Sequence, residues 1–150
     1  MGFVRLILLC CLLSLSYGVA ATPYQPIREI PVVNLPDIAI ASIDQHGPVI
    51  YYNPILTEMV GPWVTEFFRT HEIFHHRLGH LMDRDALADP EQRLEMEKQA
   101  DCEAAKVVSP YAVLAAVEFF IATQGPTRVD ALHPTGYERA ETIRLCGGDR

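Results

Sequence analysis

Two kinds of hydrophobic periodicity divide the chain. Asp37-Ile38-Ala39-Ile40-Ala41-Ser42-Ile43 alternates with period two, and part of Val49-Ile50-Tyr51-Tyr52 does the same. Such alternation places successive side chains on opposite faces of a strand. Asp44-Gln45-His46-Gly47, between the two runs, has turn chemistry, so together they predict a β-hairpin. Asn53-Pro54 ends the second strand and starts a helical pattern whose apolar members include Leu56, Val60, Val64, Phe67, Phe68 and Phe74. Gly61-Pro62 breaks this pattern into a short helix and a longer one, and Gly79 marks the far end.

Leu81 to Pro90 reads as a mostly polar connection, with Pro90 suited to the first turn of a helix running from about Glu91 to Val108. Ser109-Pro110 restarts the chain into an apolar helix, Tyr111 to Thr123, and Gly125-Pro126 breaks it. Asp130 to Pro134 reads as a loop and Tyr137 to Leu145 as a last short helix. Tyr51, Trp63, Phe67, Phe68, Phe119 and Phe120 recur at strand or helix spacing and are expected in the core. Upstream, residues 22–36 hold four prolines and no periodicity, the pattern of an extended arm that wraps the domain. The expected fold class is α+β over residues 37–150: a small antiparallel hairpin or sheet packed on the second helix, with about three further helices.

Composition changes the picture at the N-terminus. Arg5 is followed by the apolar run Leu6 to Leu15 and then by Gly18-Val19-Ala20-Ala21, small residues at cleavage spacing. Residues 1–21 therefore read as a secretory signal peptide and the protein as exported, periplasmic or extracellular, with no stable membrane span after cleavage. An uncleaved anchor is the competing reading, and the run is short for one. The formal charge of −7 argues against a nucleic-acid partner. Cleavage would leave two cysteines, Cys102 and Cys146, which in an exported chain read as one disulfide.

Candidate chemistry centres on His71-Glu72-Ile73-Phe74-His75, H-E-x-x-H. On a helix His71 and His75 lie one turn apart on one face, where two neutral imidazoles can hold one Zn²⁺. Glu72, rotated away from them, is placed to act as general base on a water. A catalytic zinc site needs a third protein ligand, and Glu97-Lys98-Gln99-Ala100-Asp101, E-x-x-A-D, offers one. Glu97 would bind the metal while Asp101 accepts the N–H of a ligating histidine. The competing reading is an exposed acidic helix face. His76 and His80 form a second pair at helical spacing, read chiefly as a solvated face near a helix C-terminus and secondarily as an alternative metal clip. Tyr137 and His133 are the candidates to stabilise an oxyanion.

With these motifs in place, the chain resembles the HtpX-like group of gluzincin zinc metallopeptidases, which also carry H-P followed by Arg, here His133-Pro134 and Arg139. The resemblance spans roughly Ile38 to Arg144. It implies a zincin-like fold with one Zn²⁺ per chain, His71, His75 and Glu97 as ligands, Glu72 as base and Asp101 behind the ligands. It also implies His133 and Arg139 near the active site, and a peptide or unfolded protein added as a strand along the hairpin edge. The chain departs from the group in its short His75-to-Glu97 spacing and in having no transmembrane hairpin beside the motifs. Two functions follow as alternatives: a secreted or periplasmic zinc metalloendopeptidase, or a non-catalytic zinc-binding or partner-binding module on the same fold.

Overall fold

The computed structural model describes residues 25–148; the expected signal peptide lies outside them. The described chain is α+β, with a three-stranded sheet and five helices. The strands are β1 (Arg28–Pro31), β2 (Ala39–Asp44) and β3 (Gly47–Tyr52). β2 and β3 form the expected antiparallel hairpin, with Ala41 opposite Ile50 and Asp44 opposite Gly47. The arm does more than wrap. Its residues Arg28–Pro31 pair in parallel with β3, giving the order β1-β3-β2, so the sheet is mixed rather than antiparallel. The start of β1 is held by charge: Arg28 pairs with Asp44 of the hairpin, and Glu29 with Arg69 of the following helix. β3 is thus the central strand, and its Val49 and Ile50 are fully buried.

The helices are α1 (Pro54–Arg77), α2 (Arg84–Ala88), α3 (Pro90–Val107), α4 (Pro110–Thr123) and α5 (Gly136–Gly147). Asn53 caps α1 by accepting from the Ile55 and Leu56 N–H groups. The break expected at Gly61-Pro62 is a kink inside α1, with Gly61 at φ 82°, a conformation that costs glycine little. Thr65 Oγ1 donates to the Thr57 carbonyl across the kink, at 2.9 Å. α2 and a 3₁₀ turn at His80–Met82 occupy the stretch expected to be only a connection.

α3 presents Ala100, Ala104 and Ala105, all fully buried, to the rest of the core. Residues this small let backbones approach closely. Phe67 and Phe68 of α1 and Phe120 of α4 meet in edge-on and tilted contacts at 5.5–6.3 Å and fill the centre. Trp63 departs from the expectation of burial: it is 47% exposed and stacks on Tyr111, itself 67% exposed. Cys102 of α3 and Cys146 of α5 form a disulfide with their Cα atoms 5.1 Å apart. Among the described residues no helix is long and apolar enough to cross a membrane.

Candidate metal centre

The second half of α1 carries His71, Glu72 and His75 into the interior, and α3 meets it with Glu97 and Asp101. One ligand atom each from His71, His75 and Glu97 lies within 4.8 Å of the others, and all three residues are buried. His71 Nε2 is 3.2 Å from one Glu97 oxygen and His75 Nε2 is 3.4 Å from the other. The two Nε2 atoms are 2.9 Å apart. Two imidazole nitrogens and a carboxylate converging on one buried point can hold a metal ion.

The outer nitrogens are engaged elsewhere. His71 Nδ1 lies 2.8 Å from Asp101 Oδ1, so its N–H donates to that carboxylate and its Nε2 is turned to the cluster. Asp101, with no exposed surface, is gripped by Arg139, which donates from Nε at 2.8 Å and from a terminal nitrogen at 2.7 Å. Arg139 is also buried and lies over the Phe120 ring at 4.0 Å. It therefore positions Asp101, and through it His71.

Electrostatics follow from this packing. Burial opposes a charge on His71, but Asp101 and Glu97 outweigh it and hold the metal-free imidazole up to about 10. Burial, together with the His71 charge, pushes His75 down to about 3. Glu97 is held below its ordinary range: burial opposes this, and the His71 hydrogen bond and charge prevail. Burial raises Glu72 to about 7, against the pull of His71 and of a backbone donor. That donor is the Ala41 N–H, 2.7 Å from Glu72 Oε2.

The Ala41 contact defines one wall of the site. The Asn53 N–H bonds the Ile38 carbonyl, which fixes the hydrogen-bonding phase of the β2–β3 ladder. Counting by twos, Ile40 and Ser42 bond to β3, whereas Ala39, Ala41 and Ile43 direct their backbone groups at the free edge of β2. That edge borders a cleft of about 250 Å³ that also takes in Glu72, the three candidate ligands, Leu81, Leu87, Met96 and His133.

His133 sits at the cleft margin with Nε2 3.9 Å from Glu97. Asp130 accepts from the His133 backbone and ring Nδ1, at 2.8–3.0 Å, and so directs Nε2 toward the cluster. Tyr137 is not in the cleft, contrary to the sequence expectation. Gly136 packs so tightly on the end of α4 that an added Cβ would lie 2.2 Å from the Phe120 carbonyl, and Tyr137 emerges 52% exposed. His76 and His80 are not a pair. α1 stops at Arg77, so the helical spacing between them is lost. His76 Nε2 reaches the Val49 carbonyl at 3.0 Å, while His80 is buried against His75.

Three participants have roles that the sequence reading did not assign them. The Ala41 donor is a backbone group, and His80 and Gln99 act only after a chain reversal that brings His80 over His75. The Gly79-His80 step was the one cue, since a residue just past a helix end can fold back over its last turn. No protein-family model matches the chain, and no curated protein or solved structure matches it.

Proposed function

We propose that this protein is an exported zinc metalloendopeptidase with an HtpX-like gluzincin arrangement. The observation that carries the reading is the convergence of His71, His75 and Glu97 at one buried point beside a cleft that also holds Glu72. Two imidazoles and one carboxylate are the donor set of hydrolytic zinc sites, and here all three residues line the cleft, so they would hold the ion at its wall. Bound zinc supplies a Lewis acid for a peptide carbonyl and lowers the pKa of its water.

The chain's own residues do the remainder. Glu72, which the environment brings to about 7 in the metal-free site, takes a proton from water and returns it to the departing amine. Ala39, Ala41 and Ile43 offer backbone donors and acceptors at the β2 edge, so an extended peptide adds there as a strand, held mainly by main-chain bonds. When it does, the Ala41 N–H can pass from Glu72 to the peptide. His133, steered by Asp130, is placed to donate toward an oxyanion. Export is supported by the apolar leader in the sequence and by the Cys102–Cys146 disulfide.

The test is cleavage of an unfolded, disulfide-reduced protein by zinc-loaded wild type and by Glu72→Gln, with metal content measured on both. Wild type cleaves; the variant holds its metal and loses at least about two orders of magnitude in rate, the contribution of a general base. Equal rates would refute the mechanism. Binding without cleavage by either protein would favour the partner-binding module.

A further inference from the structure

We infer that His80 and Gln99 form a relay that sets the tautomer of His75 and so makes it a metal ligand; this rests on the metal-site reading above. α1 ends with Leu78 as its cap, and Gly79, at φ 74°, turns the chain back on itself. The reversal lays His80 over His75, with ring centroids 5.1 Å apart and the two Nδ1 atoms 3.0 Å apart. Between two imidazole nitrogens at that distance one carries the proton and the other accepts it.

The far side of His80 decides which. Its Nε2 is 3.1 Å from Gln99 Oε1. A carbonyl oxygen only accepts, so Nε2 carries the His80 proton and the neutral ring has a bare Nδ1. His75 Nδ1 must then be the donor, which strips its Nε2 of hydrogen and turns a lone pair toward Glu97 and His71. Run backwards, with the Gln99 amide nitrogen donating, the same chain would put a hydrogen on His75 Nε2 and block ligation. The direction of the Gln99 amide is therefore a functional property of the site.

The relay completes a pattern on α3. Asp101 orients His71 directly, Gln99 orients His75 through His80, and Glu97 between them supplies the third donor. α3 thus sets the orientation of both histidines on α1. His75 receives a neutral partner where His71 receives a carboxylate, so its orientation is fixed without a further negative charge at the site. His80 is 4% exposed and its placement depends on the Gly79 reversal, so its role is positioning rather than catalysis.

The test reads tautomers and metal affinity rather than turnover. In zinc-loaded protein, long-range nitrogen–proton correlation of the imidazoles should show His80 protonated at Nε2 and bare at Nδ1, and His75 protonated at Nδ1. Zinc affinity, by competition with a chelator, should fall about 10- to 100-fold in His80→Ala and recover in large part in His80→Asn, whose carbonyl can accept from His75. Gln99 is exposed, so Gln99→Met leaves packing intact; it should cost about 2- to 10-fold, one hydrogen bond's worth. A His80 ring protonated at Nδ1, or unchanged affinity in both His80→Ala and Gln99→Met, overturns the relay while the metal site stands. Wild type that binds no zinc overturns both.

Discussion

Zinc should enter this site only by expelling a proton. In the metal-free protein His71 is an imidazolium: its Nδ1 faces Asp101 at 2.8 Å, its Nε2 faces Glu97 at 3.2 Å, and together they hold it up to about 10. The Nε2 proton occupies the direction a metal must take. His75, pushed down to about 3, has none to give up, and Glu72 at about 7 is largely ionised above neutrality. Titrating zinc into the metal-free protein at pH 7.5 to 8.5 should therefore release no less than about one proton per metal.

The sign of the pH dependence follows from which state binds the extra proton. The metal-free form does, so acid favours it, and zinc affinity should weaken at least about tenfold per pH unit as pH falls from 9 to 7. Calorimetry in buffers of differing ionisation enthalpy counts the protons, and Asp101→Asn should lower the count by letting His71 deprotonate beforehand. A release near zero at pH 7.5, with affinity flat across this range, would refute the reasoning.

Two stability predictions follow from the same helices. Arg139→Gln removes the bidentate one of the two cations that hold buried Asp101, leaving His71, and should destabilise the metal-free protein by up to about 3–5 kcal/mol in urea unfolding, whereas adding Asp101→Asn to it should recover part of the loss; additive losses would contradict the pairing. Replacing Cys102 and Cys146 by Ser opens a covalent loop with a sequence separation of 44 and should cost about 4 kcal/mol by loop-closure entropy. An unchanged unfolding midpoint would show that the unfolded chain is already constrained there.

What the sequence made legible was whatever depends on neighbours in the chain. The hairpin turn at Asp44–Gly47, the kink at Gly61-Pro62 and the end of α1 near Gly79 are local backbone decisions, each signed by its residues. His71 with His75, and Glu97 with Asp101, could be singled out because helical spacing alone puts each pair on one face, and Glu72 by its place within H-E-x-x-H. The strand at Arg28–Pro31 was not legible, because its parallel partner lies about twenty residues away and its four residues, ending in Pro31, are too few to show an alternation. α2 fits within five residues between polar caps, too short for a periodicity. Tyr137 was misplaced because its direction depends on how closely Gly136 approaches α4. The His76–His80 spacing misled because helical geometry was carried past Arg77, where the helix has already ended.

The most direct test of the central claim is metal content by elemental analysis of the purified protein and of Glu97→Ala, each supplied with zinc and then dialysed. One zinc per wild-type chain, lost or sharply weakened in the variant, is the predicted result and identifies Glu97 of α3 as the third ligand completing the pair on α1. Zinc retained at full occupancy in Glu97→Ala, or none in the wild type, would contradict it.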